Sequence, residues 1–257
     1  MKWILIIFFL GLTVFEVDKK INSAGRDHRS KKSYESFAIL ELFTSEGCSS
    51  CPPADRLLSQ LASTDASIIP LSFHVDYWDR YGWKDPFSNA SFTDRQREYA
   101  KQFKLESIYT PELVINGEYE LVGSNRSLAE TDIRKLLKET APLQLAIDDV
   151  KKEKEVLSVS CRLKGDLQNC ELLAAVVQKH AEVNVKAGEN HGAKLSHTNV
   201  VRSFLKLPAK EKMDLQIHVP ADIANENLSA GKQNWQLIIY TQRKDDLMIT
   251  GAATYNP

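Results

Sequence analysis

The stretch TSEGCSSCPPAD, residues 44–55, decides the fold and raises the functional question. Two cysteines, Cys48 and Cys51, lie two residues apart, and two prolines follow them directly. An apolar run (37–43) precedes the pair, and leucines recur at helical spacing behind it (54–62). A buried strand, a CxxC turn and an amphipathic helix are therefore predicted. The regular helix is expected to begin at Cys51 or Pro52, because proline fits the first helical turn.

A cysteine pair between a strand and a helix is well placed for redox chemistry. The unpaired N–H groups and partial positive charge of a helix N-terminus favour a thiolate over a thiol, and the thiolate is the attacking species in disulfide exchange. Cys48, on the loop side, is the predicted nucleophile, and Cys51 is the predicted resolving cysteine. The alternative is a structural disulfide, but so small a loop gains little stability from one.

The rest of the chain separates into two parts with different patterns. SIIPLSFHV (67–75) completes a strand–helix–strand unit with a parallel pair. Helices are predicted at 91–103 and 127–140, with Ser91 and Ser127 as the N-cap residues of capping boxes. LVI, Asn116-Gly117 and EYELV predict a hairpin with a two-residue primed turn. After Pro142 about seven strand-like runs indicate a β-sandwich. We therefore expect an α/β domain at 34–140 and a β-rich, sandwich-like domain at 141–257.

Four segments together carry a resemblance to a known family. They are ELFTSEGCSSCPPAD (41–55), FHVDYWDRYGWKDPFS (73–88), YTPELVINGEYELVGSNR (109–126) and GENHGAKLSHTNVVR (188–202). Over about residues 37–255 the chain is similar to a family of exported bacterial thioredoxin-like proteins, classified as a domain of unknown function. The family implies a thioredoxin-like N-terminal domain, here with an inserted segment at about 77–104, and a β-rich C-terminal domain. It supplies no substrate.

The thioredoxin superfamily also suggests roles for residues outside the cysteine pair. Thr110-Pro111 resembles the cis-proline element that lies against the CxxC turn, so Pro111 would hold a substrate chain beside the sulfurs. Thioredoxins carry an acid near the position of Glu41, which would relay a proton to or from Cys51. The register of Glu41 differs by about one residue, and alternation along a strand could turn it to the other face.

The loop after the second strand is rich in tryptophan and aspartate. Asp76, Trp78 and Trp83 belong to it, and together with Thr110 they are the candidate substrate-binding residues. The loop follows the carboxyl end of a strand, where α/β sheets usually bind ligands. A packed insertion that covers the sheet edge accounts for it equally well. The polar segment 188–202 also has two interpretations. It is either a binding or interdomain network that faces the cysteines, or a turn that two glycines build and whose polar groups are solvated. The turn is favoured.

The remaining cysteines and histidines suggest little further chemistry. Cys161 and Cys170 flank a plausible hairpin turn and are predicted to form a structural disulfide. A zinc site needs about four ligands, and the chain offers no second CxxC. Copper could use both thiolates of the CxxC pair with His74. No cofactor is predicted, and His74 would be a metal ligand only if the protein handled copper.

The N-terminus resembles an export signal. Lys2 precedes a mostly apolar run from Trp3 to Phe15, which has the length of a signal segment and is short for a membrane span. Residues 1–33 are therefore assigned to a signal peptide and polar linker, with an uncleaved membrane anchor as the alternative. A periplasmic or extracellular location would allow disulfides to form.

Composition excludes one class of partner and leaves three functions open. The 33 basic and 34 acidic residues nearly cancel, which does not indicate a nucleic-acid-binding face. The leading hypothesis is a thiol–disulfide oxidoreductase acting on protein thiols or disulfides, or on an electron-transfer partner. The alternatives are a secreted binding or adaptor module with an inert disulfide, and a copper-handling protein.

Overall fold

The protein is described by a computed structural model over residues 30–224 and 233–257, and it has a mixed α/β fold. The strands are β1 Ser30–Ser33, β2 Ala38–Thr44, β3 Ile68–His74, β4 Glu112–Ile115, β5 Tyr119–Val122, β6 Gln144–Glu153, β7 Val156–Lys164, β8 Cys170–Asn184, β9 Lys194–Pro208, β10 Lys212–His218, β11 Trp235–Arg243 and β12 Ile249–Asn256. The helices are α1 Pro52–Thr64, α2 Ala90–Phe103, α3 Arg126–Leu136 and the single turn α4 Ala221–Ala224, with a 3-10 turn at Asp79–Tyr81.

A nine-stranded sheet runs through both halves of the chain. Its strand order is β1-β12-β11-β8-β9-β3-β2-β4-β5. The halves meet where β9 pairs with β3 in parallel, with Val200 opposite Ser72. The domain boundary expected near residue 141 therefore falls between two parts of one continuous sheet.

A second sheet packs against the C-terminal part of the first. Strands β6, β7 and β10 form it, in the order β10-β7-β6. Alternate residues of β7, including Leu157 and Val159, share a core with Val176 of β8 and with Leu237 and Ile239 of β11. Burial of this apolar surface from both sides is what holds the two sheets face to face.

Strand β2 separates two cores because its side chains alternate between the faces of the sheet. Leu40 and Leu42 pack with the buried leucines of α1 and with α3. Ile39 and Phe43 pack on the opposite face, with Tyr99 of α2. Each β2 side chain therefore lies either on the α1 side of the sheet or on the α2 side.

The predicted hairpin is confirmed, but two predicted helix caps are wrong. Asn116 and Gly117 have φ angles of 49° and 70°, as a primed turn requires. Helix α2 is capped by Asn89 and α3 by Asn125, whose side chains accept N–H groups from their own first turns. Capping at Ser91 and Ser127 had been expected. In both cases an asparagine two residues earlier takes the N-cap position instead. Asparagine caps a helix as well as serine does.

The strand arrangement corrects the expectation that residues 1–33 lie outside the fold. The sequence excluded Ser30–Ser33 from the fold, yet this segment forms β1 and pairs with β12. Its polar composition gives no apolar signal because it is an edge strand, where lysine is common. The predicted signal segment otherwise lies outside the described residues. No helix in the described ranges has the length and apolar character needed to cross a membrane.

The predicted Cys161–Cys170 disulfide is wrong, since both cysteines are free and buried. Strands β7 and β8 do not form the hairpin that the pairing assumed. Strand β7 belongs to the three-stranded sheet and β8 to the nine-stranded one, so the connection between them crosses from one sheet to the other. Burial raises the pKa of both thiols, that of Cys161 to about 11.

A buried ion pair ties α2 to the sheet. The Arg95 guanidinium donates to Glu41 from Nη2 at 2.7 Å and from Nε at 3.1 Å. Tyr240 donates to Glu41 Oε1 at 2.6 Å, and Tyr99 donates to Oε2. Every described contact of this carboxylate is thus a donor, as a buried charge requires.

Removal of the Arg95 guanidinium should destabilise the protein strongly. Arg95→Met keeps most of the side-chain volume but leaves Glu41 buried without its cation, at an expected cost of about 3–5 kcal/mol in the free energy of unfolding. Arg97→Met is the matched control on the same helix. The Arg97–Asp94 pair is exposed, so its loss should cost only about 0–1 kcal/mol. Urea denaturation measures both, and equal losses would contradict this account of the ion pair.

Candidate functional site

The Cys48–Cys51 disulfide closes the loop between β2 and α1, with the two Cα atoms 5.4 Å apart. Cys51 is the N-cap of α1, and the two prolines occupy the first helical positions, as expected. The N–H groups of Ala54 and Asp55 donate to the Cys51 carbonyl at 2.8 and 3.1 Å. Both cysteines are fully buried, whereas the two serines between them are exposed.

The loop before β4 lies against the CSSC turn. The Thr110–Pro111 peptide bond is cis. Ser50 Oγ donates to the Thr110 carbonyl at 3.5 Å, and Trp78 Nε1 donates to Thr110 Oγ1 at 2.7 Å. The structure therefore brings together three of the predicted site elements: the cysteine pair, Thr110-Pro111 and Trp78.

Both predicted tryptophans contact the segment that leads into the cysteines. A Cβ added to Gly47 would lie 3.2 Å from the Cβ of Trp78, so the two segments pack closely at this point. Trp83 Nε1 donates to Glu46 Oε2 at 2.7 Å. The aromatic loop is thus packed onto the CSSC loop, and both tryptophans keep partly exposed surface.

Asp76 and Asp85 of the aromatic loop have different surroundings. Asp76 accepts the Thr93 hydroxyl at 2.5 Å and is turned toward α2. Asp85 Oδ2 accepts the Glu46 N–H at 2.9 Å and contacts His74 Nδ1 at 2.7 Å. Burial alone would raise the pKa of Asp85, but His74 and these hydrogen bonds lower it below the usual range. Asp85 is therefore an anion that anchors the CSSC loop, while Asp76 has no described contact with that loop.

The polar GENHG loop between β8 and β9 binds the CSSC loop directly. Glu189 Oε2 accepts the Ser49 N–H at 3.1 Å. Asn190 Nδ2 donates to the carbonyls of Glu46 and Cys48 at 2.8 and 2.9 Å. The sequence favoured a turn with solvated polar groups, whereas the structure uses these groups to join the second half of the chain to the disulfide loop.

A buried histidine of β9 lies between two carboxylates that flank the disulfide. His197 Nε2 is 3.4 Å from Glu46 Oε1, and Nδ1 is 3.6 Å from Asp55 Oδ1. None of these four atoms has a hydrogen-bond partner among the described residues, so each imidazole nitrogen is paired with its carboxylate by charge. Burial alone would lower the pKa of His197, but Asp55 and Glu46 raise it to about 10. The imidazole is therefore protonated, and its charge links both ends of the CSSC loop.

The structure does not place Glu41 with the cysteines. Its side chain shares a face of β2 with Ile39 and Phe43, whereas α1, which begins at Cys51, packs on the other face. The one-residue difference in register accounts for this, because neighbouring residues of a strand point to opposite faces.

His74 lies close to the site but contacts a carboxylate and another histidine. Its Nδ1 contacts Asp85, and its ring packs edge-on against His197 with centroids 4.7 Å apart. Across residues 30–224 and 233–257, no group of three or more histidine, cysteine, aspartate or glutamate side chains is arranged to hold a metal ion.

Sequence reasoning missed Glu46 and Asp55 as members of the site. Asp55 follows Cys51 by four residues, which places the two on one face of a helix, and this spacing is visible in CPPAD. His197 was recognised only as part of a polar segment. Nothing local in the sequence connects it to Glu46 or Asp55, because β9 reaches the site through sheet pairing.

Protonation of His197 should make stability depend on pH. The folded-state pKa of about 10 lies above the ordinary 6.5. The stabilisation is therefore complete below about pH 6.5 and is lost as the pH rises to about 10. The difference in unfolding free energy between the oxidised wild type and His197→Gln should be largest near pH 6 and shrink toward pH 10.

Urea denaturation across this range measures the effect. The control is His218→Gln, which removes an exposed imidazole that contacts Glu155. A difference for His197→Gln that stays constant with pH would contradict the assignment of a buried imidazolium.

Comparison with known proteins supports the fold and names a family. A crystal structure of a protein from Agrobacterium tumefaciens superposes with a TM-score of 0.63 at 23% identity, covering 86% of this chain and 95% of that one. No curated protein matches. The model of the family described as "Protein of unknown function (DUF1223)" matches residues 39–240. The chain therefore belongs to the DUF1223 family.

Proposed function

We propose that the protein is an exported thiol–disulfide oxidoreductase whose working couple is Cys48–Cys51. One observation carries the proposal: the disulfide lies at a helix N-terminus, with Cys51 as the N-cap residue of α1. The partial positive charge there stabilises the thiolate that reduction releases. A disulfide that is never reduced would make no use of this effect, because it never forms a thiolate.

Cys48 is the proposed attacking sulfur and Cys51 the resolving one. Cys48 Sγ lies 3.4 Å from Ser50 Oγ, beneath the exposed tip of the loop, which is the side from which a substrate would approach. Cys51, the N-cap residue of α1, is held next to Cys48 and can close the disulfide again. The other two thiols are poor candidates, because burial raises their pKa and disfavours the thiolate.

The order of elements in the first half of the chain supports the proposal. The parallel β2–α1–β3 unit is followed by α2, the β4–β5 hairpin and α3, in the order that the resemblance implies. Thr110, Trp78 and Trp83 surround the CSSC turn and are the proposed substrate-binding residues, with the Thr110 carbonyl available to an extended chain. Glu41 and Asp76 are not among them, because their described contacts lead away from the disulfide.

The binding or adaptor module is retained as a second candidate for one reason. Both cysteine side chains are fully buried in the disulfide form, which suits an inert bond and requires the turn to open before exchange. The substrate would be a protein thiol or disulfide under the first proposal, and exchange would be absent under the second. No contact of His74 favours the copper alternative.

Trapping experiments distinguish the two candidates. Reduced Cys51→Ser protein mixed with oxidised glutathione should accumulate a mixed disulfide at Cys48, because the resolving thiol is missing. The wild type should pass through this adduct to the internal disulfide, and Cys48→Ser should form little adduct. Cys161→Ser is the matched control and should behave as the wild type.

Mass spectrometry of the intact protein and of its peptides measures the adducts. An inert binding module predicts no adduct at Cys48 in any variant. Equal adducts in Cys48→Ser and Cys51→Ser would contradict the assignment of the nucleophile.

A further inference from the structure

We propose that Asp55 is a catalytic residue that carries the proton between Cys51 and a solvent cavity, and that His197 positions its carboxylate. The inference rests on the proposed oxidoreductase function and adds the route of the proton. Three observations carry it: the helical spacing of Cys51 and Asp55, the ion pair from β9, and a cavity that reaches Asp55.

The helix places the Asp55 carboxylate beside the resolving cysteine. Cys51 has helical φ and ψ angles of −77° and −38°, and the Asp55 N–H donates to its carbonyl at 3.1 Å. Side chains four residues apart lie on one helical face, with Cβ atoms about 5–6 Å apart. Helical side chains lean toward the N-terminus, so the helix directs the Asp55 side chain back toward Cys51, as proton transfer directly or through one water molecule would require.

Both carboxylate oxygens of Asp55 are held in place from other strands. Oδ1 faces the protonated imidazole of His197 at 3.6 Å, and Oδ2 accepts the Thr44 hydroxyl at 3.3 Å. Asp55 itself is only 6% exposed. The carboxylate is therefore fixed from two sides, and Oδ1 accepts no hydrogen bond from any of the described residues.

A cavity of about 130 Å³ connects Asp55 with the surface. Its lining is Pro52, Asp55, Arg56, Lys194, Leu195 and Ser196. At about 30 Å³ for each molecule in liquid water, it has room for several waters. It lies between the start of α1 and the start of β9, so protons can enter and leave without passing through the substrate-facing side of the disulfide.

The proposed step balances in atoms and electrons. With a substrate sulfur bonded to Cys48, the Cys51 thiol gives its proton to Asp55, and the thiolate attacks Cys48 Sγ. The Cys48–Cys51 bond forms, the bond from Cys48 to the substrate sulfur breaks, and the substrate leaves as a thiolate. The cysteine pair is oxidised and the substrate sulfur is reduced, and Asp55 passes its proton to water in the cavity. Reduction of the disulfide runs the same steps backward.

Other charged groups face this route and shape its dependence on pH. They are Glu46 before the disulfide, His197 and Lys194 on β9, Arg56 on α1, and the His74–Asp85 pair behind the imidazole. The Lys194 ammonium is paired with Glu182 at 2.8 Å. Because these groups remain in an Asp55→Asn variant, that substitution changes the proton carrier with the least change to its surroundings.

Single-turnover reaction with 5,5′-dithiobis(2-nitrobenzoate) tests the relay. Reduced protein should release thionitrobenzoate in two phases, first by attack of Cys48 on the reagent and then by attack of Cys51 on the mixed disulfide. Asp55→Asn should slow the second phase by about 100-fold near neutral pH and leave the first phase within about threefold. The second-phase rate of the variant should then rise with pH as the thiol ionises to bulk solvent. Asp55→Glu should recover part of the rate, and Asp65→Asn, at the far end of α1, is the control.

Each outcome supports or contradicts a distinct claim. A fast second phase in Asp55→Asn with the wild-type pH profile would overturn the relay and leave the proposed function standing. A wild type without a first phase would contradict both. If Asp55→Asn does not fold, the wild type alone still tests the relay. An internal proton carrier makes its second-phase rate independent of buffer concentration. Buffer catalysis in the wild type would overturn the inference.

Discussion

The parallel pairing of β3 with β9 is the constraint on which the site depends. It joins the two halves of the chain into one nine-stranded sheet. It also brings His197 and the GENHG loop to a disulfide that lies almost 150 residues earlier in the sequence. Without it, the CSSC loop would keep its helix but lose the imidazolium and the hydrogen bonds to its own carbonyls. The β-rich half is therefore part of the site.

Buried charge is distributed in two separate groups on either side of β2. On one face, Arg95 neutralises Glu41 and ties α2 to the sheet. On the CSSC side, His197 lies between Glu46 and Asp55. Buried charges are tolerated only when they are paired and hydrogen-bonded. The first group satisfies this rule fully and is structural. The second leaves polar atoms without a hydrogen bond from the described residues, which a catalytic role would explain.

Local features of the sequence predicted local features of the structure. The CSSC turn, the helix start at the prolines and the Asn116-Gly117 hairpin all follow from interactions between residues a few positions apart. Glu41 was misplaced because a shift of one residue along a strand changes the face, which periodicity alone cannot fix for a strand buried on both sides. The Cys161–Cys170 disulfide was wrong because sequence proximity suggested a hairpin where the chain crosses between sheets.

The most informative residues of the site were the hardest to find from sequence. Asp55 could have been recognised from its spacing to Cys51, since one helical turn separates them. His197 could not, because its position depends on a strand pairing between distant segments. Membership of the DUF1223 family and the likeness to the Agrobacterium tumefaciens structure support the fold. The proposed function rests on the chemistry of the CSSC loop.

The reduction potential of the Cys48–Cys51 pair tests the central claim most directly. Redox titration in a Cys161→Ser/Cys170→Ser background removes the two free thiols from the measurement. A working couple predicts a value between about −120 and −270 mV, the range of known thiol–disulfide oxidoreductases. A value below about −300 mV, typical of structural disulfides, would contradict the redox function and assign the disulfide to stability alone.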